Sequence, residues 1–396
     1  MNKSQFRIII FDGSFQTTAF IRRLMQGLVK QHQIFVLGFN ENLKSEVKGV
    51  RYIKIGSNQN KLSLLQTSLR LQGFSSSLLK NIFNGNKQKL QQDNLSIILN
   101  KIKPNIIHAQ WNSVLPWLEP YLVNKKYPVI LSQRGYQTNV RPFVNGQNFN
   151  FLQKIYPQLS GIHSVSYAIR EKGKQIGEPF TRINEVVYTG LNLAQFKYRK
   201  KYKKSDTLKI LSVGRPHWIK GYSSAIKALS LLKKEGVSFH YTIIGGAGDE
   251  ELMYLINYYS LKNSITLTGK VKQEQVFNKM KKASVFLLPS LEEGIANVAV
   301  EAMALGTPVI STDCGGMQEL ITHNQEGWIV PQRDPKALAA QIQAFIRLSN
   351  SEIEKIRHAA RQKVELEFNE EQMIVGMEKL YEKVLNINKA FIQIFL

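Results

Sequence analysis

Residues 292–312 read EEGIANVAVEAMALGTPVIST and set Glu293 and Glu301 eight residues apart in a segment that is otherwise small and apolar. Glu293 precedes Gly294 and belongs to a turn. A helix starting near Ala296 or Asn297 then carries Glu301 about one turn in, and PVIST reads as a short β-branched strand. Working outward, SVFLLPS before the stretch and GWIV after it are further strands, and the same rhythm continues through LKILSVG, YTIIGG and SITLTG. The first half of the chain offers FRIIIF, IFVLGF, NIIHA, PVILSQ, GIHSVS and EVVYTG, with helical stretches between several of them. Strands alternating with helices imply parallel sheets covered on both faces. The polar, basic segment AQFKYRKKYKKSDT (194–207) separates the two series and is expected to be a linker. The expected fold class is therefore α/β: two doubly wound, Rossmann-like parallel-sheet domains facing a cleft. The first spans 1–200 and the second 206–375. A helix and tail over 376–396 are expected to pack back on the first.

A length of 396 residues and 43% hydrophobic content fit two packed domains and exclude disorder. The lone cysteine, Cys314, allows neither an intrachain disulfide nor a zinc cluster, suits a reducing compartment, and reads as a small packing residue. The opening MNKSQFRIIIF suggests a buried first strand rather than a signal peptide, and no run of about 18 apolar residues suggests a membrane span. Beyond residue 332 three helices are expected, over 335–348, 352–368 and 370–385. The apolar end NINKAFIQIFL either packs on the first domain or dips into a membrane surface.

Net charge is +24, and it is lopsided: residues 1–205 hold 31 Lys or Arg against 8 Asp or Glu, whereas residues 206–396 hold 22 against 21. Such a field attracts nucleic acid, an anionic membrane surface or a phosphate-bearing substrate. A merely solubilising basic surface is the plainer account. Nucleic-acid binding would call for aromatics interleaved with basic residues or a helix-turn-helix, and neither is visible. A dinucleotide-dependent oxidoreductase would need G-x-G-x-x-G after an early strand, which FDGSFQ lacks.

Ligands of doubly wound sheets bind beyond the carboxyl ends of the strands. In the second domain these ends lead to Arg215 and Lys220 in GRPHWIKGY, to the glycine turn at Gly246 in GGAGDE, to Lys270 and to the EEGIAN turn. The backbone amides of Gly294, Ile295, Ala296 and Asn297, at the positive end of a helix, make a phosphate site with Arg215 and Lys220 as countercharge. Glu301 is placed to accept hydrogen bonds from a ribose diol, and Glu293, further out, to meet a polyhydroxylated group. Taken singly, Lys220 and Arg215 are ordinary surface charges, and the two glutamates ordinary acids at a helix start.

GRPHWIKG, IIGGAGDE, LPSLEEGIANVAVEAMALGTPVISTDCGGMQELI and EGWIVP together resemble, in order and spacing, the C-terminal domain of family 4 retaining glycosyltransferases of the GT-B fold, the glycosyl transferases group 1. The resemblance is strong over 208–332 and weak before residue 160. It implies a nucleotide-sugar donor, a UDP- or GDP-sugar, held by the C-terminal domain, transfer with retention at the anomeric carbon, and no metal or other cofactor. By this resemblance Arg215 and Lys220 neutralise the diphosphate, Glu301 binds the ribose, Glu293 contacts hydroxyls of the donor sugar, and the amides after Gly294 bind phosphate oxygens; Lys270 and Gly246, at neighbouring strand ends, are further donor-site candidates. The acceptor would be a glycan or lipid-diphosphate-linked sugar in bacterial surface polysaccharide or lipopolysaccharide assembly, met by the basic N-terminal domain at an anionic membrane surface. The expected place is cytoplasmic, peripheral on the inner face of the plasma membrane, with no nucleic-acid partner. A sucrose-synthase-like or phosphorylase-like activity on the same fold is a further option for which the chain is short.

The N-terminal domain departs from the family pattern. Gly13 stands alone where many relatives carry a glycine pair, His108-Ala109-Gln110 replaces His-x-His, and Arg134-Gly135 replaces His-Gly. Gly13, His108 and Arg134 are candidate acceptor or sugar contacts. Against this, a satisfied core histidine and a buried structural arginine are the plainer roles, and an arginine cannot serve as a base at neutral pH.

Overall fold

The computed structural model describes residues 5–15, 18–39, 43, 46–179 and 183–394, with side chains described as far as residue 386. It divides into two compact units: one holds the chain up to Val165, Ile169–Gly190 and everything from Glu370, and the other holds Ser166–Ala168 and Leu191–Asn369.

The first unit is built on strands β1 (Arg7–Gly13), β2 (Gln33–Gly38), β3 (Arg51–Lys54), β4 (Ile106–Ala109), β5 (Val129–Gln133), β6 (Gly161–Ser164) and β7 (Asn184–Val186). They lie in the order β3-β2-β1-β4-β5-β6-β7, every pair parallel. Side chains alternate across the pleat, so Ile8 and Ile10 join one apolar cluster while Ile9 and Phe11 join another on the opposite face. Continuous Ile-Ile-Ile-Phe patterning is what a strand covered on both faces demands. The third strand, RYIK, falls outside the runs expected from sequence. It sits at the sheet edge, half-exposed, and so carries no apolar run.

The second unit contains β8 (Leu208–Val213), β9 (Phe239–Ile244), β10 (Ile265–Thr268), β11 (Val285–Leu288), β12 (Val309–Thr312) and β13 (Trp328–Val330), in the order β10-β9-β8-β11-β12-β13, again all parallel. The order reverses between β8 and β11, which makes the carboxyl ends of these two strands the switch point where such sheets bind ligands.

The unit boundary falls at residues 190–191 rather than in the basic segment 194–207. That segment packs on the second unit: Phe196 and Tyr202 are buried, Tyr202 OH donates to the Ser284 carbonyl at 3.2 Å, and the buried Arg357 donates to the carbonyl of Arg199. Its aromatic residues outweigh its lysines in deciding its place.

The three late helices span Pro335–Arg347, Asn350–Glu367 and Glu370–Ile394. The last begins the return to the first unit at Glu370, six residues before the expected 376. Met373, Met377, Leu380, Tyr381 and Val384 recur at helical spacing and are buried in the apolar cluster that contains Ile8 and Ile10. The side chains of most of NINKAFIQIFL lie outside the described residues, as do residues 395 and 396 altogether. Among the described residues no helix is long and apolar enough to cross a membrane.

Leu380 is fully buried where this helix meets the first sheet. Leu380→Ala is expected to lower stability by about 2–5 kcal/mol, read as a drop in the urea midpoint.

Candidate functional site

The site assembles where β8 and β11 end. After β8, a short helical turn at Trp218–Lys220 leads into the helix Tyr222–Lys234, and His217 Nδ1 accepts from the Ile219 amide at 3.4 Å to shape the turn. After β11, the loop 289–296 leads into the helix Asn297–Ala304. The two loops are latched by the Leu291 amide, which donates to the Ile219 carbonyl at 2.6 Å. This close approach requires Gly221: it lies at φ +61°, and a Cβ there would stand 1.9 Å from the Pro289 carbonyl oxygen.

Lys220 Nζ donates to Glu293 Oε1 at 2.7 Å, and the buried Ser290 hydroxyl donates to the same oxygen at 2.9 Å. The side chains of Lys220 and Glu293 are only 19% and 14% exposed. A partly desolvated ion pair braced by a hydroxyl is fixed more firmly than a surface pair. Nothing in the sequence pairs these two residues directly. Ser290 is a site residue that sequence reasoning missed, and its place just ahead of the acidic turn is the signal that could have found it.

A third loop, after β12, closes from below. Gly315 lies at φ +52°, where a Cβ would stand 1.8 Å from the Glu293 carbonyl oxygen, and the Gly316 amide donates to the Gly294 carbonyl at 2.7 Å. The glycine pair of TDCGG therefore shapes the turn that carries Glu293. Cys314 is fully buried beside it, and burial pushes its thiol up to about 12, so it is an inert packing residue.

The helix Asn297–Ala304 starts at the expected place. Its N-cap, Ala296, offers no side-chain acceptor to the first-turn amides, and the Ala296 amide itself lies against Met317 Sδ at 3.5 Å. Gly294 and Ala296 are buried, while Ile295, Asn297 and Glu301 are half-buried. Glu301 falls in the second turn of this helix.

Arg215 is exposed on the loop that holds Lys220. Gly246 follows β9, the neighbour of β8, and Gly245 before it packs closely on the Gly214 carbonyl. Lys270 is separate: it is exposed beyond β10, at the edge of the sheet and two strands from β8. The structure thus joins Lys220 to Glu293 and the 294–297 turn, with Arg215 on the same loop as Lys220, Gly246 after the neighbouring strand and Lys270 after the edge strand.

In the first unit, Gly13 ends β1 at φ +77°, with room for a Cβ limited by Val114 Cγ1 at 3.0 Å. Of the two roles open to His108, sugar contact or core histidine, its surroundings match the second. It is fully buried, with Nδ1 2.7 Å from Tyr381 OH and Nε2 2.8 Å from Ser132 Oγ, so both ring nitrogens are satisfied within the core. Ser132 Oγ also lies 2.8 Å from His163 Nδ1, whose other nitrogen is 2.9 Å from the Val187 carbonyl. Burial, reinforced by the Arg134 charge, lowers both histidines, His163 to about 3, so both are neutral.

Arg134 stacks 4.3 Å over the Phe20 ring, and its Nη2 donates to Gln110 Oε1 and Ser132 Oγ, each at 3.3 Å. Burial lowers the guanidinium to about 9 while Asp12 opposes the shift, which leaves a cation at neutral pH. Its Nε and the Gln110 Nε2 are buried donors without an acceptor among the described residues. Two unspent donors beside a fixed cation are suited to an anionic or polyhydroxylated ligand.

Known proteins similar to this chain are found by sequence and by structure. Residues 194–363 match the family model described as Glycosyl transferases group 1. The chain is 37% identical to the putative colanic acid biosynthesis glycosyltransferase WcaL of Escherichia coli K12, over 48% of this chain and 48% of that protein. It is 36% identical to the amylovoran biosynthesis glycosyltransferase AmsK of Erwinia amylovora, over 59% of each. The matches thus span about half the length of these curated relatives. Among solved structures, Anabaena Alr3699/HepE in complex with UDP and glucose superposes with a TM-score of 0.72 at 16% identity, over 96% of this chain and all of that one.

Two measurements probe this arrangement. Gly315→Ala forces the Glu293 turn to move and is expected both to lower the melting temperature and to break the Lys220–Glu293 pair, seen as a changed Lys220 side-chain NMR signal. The second concerns the buried histidines. Because their pKa values are depressed in the native state, the unfolded chain binds protons that the folded one does not. Stability is therefore complete above about 6.5 and declines as pH falls toward about 3. The urea midpoint should drop between pH 7 and pH 5, and His163→Gln should flatten that dependence even if it lowers stability at pH 7. The two doubly wound parallel-sheet units thus share the fold of the solved HepE structure, and residues 194–363 of the chain carry the group 1 glycosyltransferase sequence pattern.

Proposed function

We propose that this chain is a retaining glycosyltransferase that moves a hexose-type sugar from a nucleotide-sugar donor to a glycan or lipid-linked acceptor in the assembly of bacterial surface polysaccharide. The observation that carries the proposal is the Lys220–Glu293 pair at the β8/β11 switch point, with Arg215 on the same loop and a helix start free of side-chain caps beside it.

Glycosyl transfer builds negative charge on the departing diphosphate. Fixed cations and helix amides at that point stabilise the transition state more than the bound donor, which is what raises kcat. The Lys220 ammonium carries three N–H donors, so it can hold Glu293 and a phosphate oxygen together. Arg215 is proposed to take the other phosphate. Glu293, fixed by Lys220 and Ser290, is proposed to meet donor-sugar hydroxyls, and Glu301 to accept from the ribose diol. Gly246 and the amides of 294–297 are proposed to lie along the diphosphate, with Lys270 in an outer, electrostatic role. Transfer is proposed to need no metal, since the cations of the site already supply the countercharge.

The names of WcaL and AmsK, both polysaccharide-assembly glycosyltransferases, support the acceptor class, and the UDP and glucose of the HepE complex support the donor class. Arg134 and the two unspent donors at Gln110 and Arg134 are proposed to meet an anionic part of the acceptor or donor. A cytoplasmic protein peripheral to an anionic membrane fits the strongly basic N-terminal half.

A thermal-shift panel of UDP, GDP, ADP and their sugar conjugates tests the donor site. A nucleotide at 100 times its Kd adds about 2.7 kcal/mol of stability. One nucleotide is expected to shift the wild type and to fail on Glu301→Ala; equal shifts on both proteins would remove Glu301 from the ribose.

A further inference from the structure

Residues 47–92 contain eight Lys or Arg and no Asp or Glu. They include the helices Lys61–Gln72 and Ser76–Phe83 of the first unit. The inner faces of these helices are secured economically: Leu64 and Leu78 meet Leu90 in a three-residue apolar cluster, and the Asp93 carboxylate accepts from Asn81 Nδ2 at 2.8 Å and Ser77 Oγ at 3.1 Å. The exposed side runs against the usual rule. Phe74, in the turn between the helices, is 92% exposed and Phe83, at the end of the second, 91%, and Leu62 and Leu79 are largely exposed as well. Lys61, Arg70, Lys80 and Lys87 are exposed among them.

We infer that the two helices form a docking element for an anionic lipid bilayer, with Phe74 and Phe83 entering the boundary between headgroups and acyl chains and the surrounding cations meeting lipid phosphates. Single exposed apolar residues are common, but a run of large ones on one short helical hairpin marks an interaction surface. Apolar side chains set among Lys and Arg, with the neighbouring acid Asp93 engaged by Ser77, Asn81 and Lys89, are the pattern of an interfacial helix. Charge argues against a second copy of this chain as the occupant, because each copy would bring the same cations. The inference rests on the membrane-side part of the proposed function, and it adds which residues enter the lipid.

Vesicle flotation of the full chain tests it, using phosphatidylcholine alone and an equimolar mixture with phosphatidylglycerol. The wild type is expected to float with the anionic vesicles only. Phe74→Ser/Phe83→Ser, which changes two residues already in water, is expected to weaken partitioning about tenfold or more while leaving the circular dichroism melt and the nucleotide-induced shift unchanged. In a Phe83→Trp variant the indole emission should shift to the blue on adding anionic vesicles. Wild type that floats with neither vesicle would overturn both the membrane-side reading and this inference. Wild type that floats while the double serine variant floats equally, or an indole emission that stays unshifted in the Phe83→Trp variant, would overturn the inference alone.

Discussion

An ammonium and a carboxylate held 2.7 Å apart at the ends of two adjacent parallel strands set the terms for the rest of the second unit. To bring Lys220 onto Glu293, the loops after β8 and β11 must touch along their backbones, and a third loop after β12 must pass under the Glu293 carbonyl. Each approach is closer than any side chain permits, so Gly221 and Gly315 stand where they do. The ion pair is thus the visible result of a backbone arrangement, and the arrangement exists because a parallel doubly wound sheet leaves a gap where its strand order reverses. Two opposite charges confined there cancel in the resting state. A ligand with its own negative charge can redirect the lysine without exposing an uncompensated carboxylate, since an ammonium serves several acceptors at once.

The first unit uses its polar core differently. Tyr381, His108, Ser132 and His163 form a continuous chain of hydrogen bonds that ends on the Val187 carbonyl, and its imidazoles are kept neutral by burial and by the cation at Arg134. Such a chain is costly if any member is left without a partner, and within it none is. The unspent hydrogen-bonding capacity lies just outside it, on Arg134 Nε and Gln110 Nε2. Tyr381 comes from the last long helix, so the end of the chain completes a polar network begun by the middle of the sheet. The same helix supplies Met373, Met377, Leu380 and Val384 to the apolar cluster around Ile8 and Ile10, which makes the first unit dependent on residues far away in sequence.

Much of this is legible in the sequence. Twelve of the thirteen strands announce themselves by β-branched runs, because strands buried on both faces must be apolar throughout. RYIK, at an edge and half in water, carries no such mark. The start of the helix at Asn297 is visible in EEGIAN, and Glu301 falls where helical geometry puts it. The basic segment after residue 194 misleads by its lysines: Phe196 and Tyr202 pack into the second unit while Lys197, Lys200, Lys201, Lys203 and Lys204 stay exposed, since burial is decided by the apolar part of a segment and not by its charge count. His108 reads equally as a contact or a core residue, because a histidine at a strand end looks the same either way until its neighbours are known.

The amino-acid sequence by itself determined two parallel-sheet domains and the residues gathered at the strand ends of the second, because periodicity, glycine placement and charge are local properties that each segment states for itself. Only the tertiary structure decided that Lys220 meets Glu293, that Ser290 braces the pair, that Lys270 follows an edge strand, and that Tyr381 completes the histidine network. These depend on which loops and helices become neighbours in space, a consequence of strand order and of glycine-permitted backbone contacts between segments far apart in the chain.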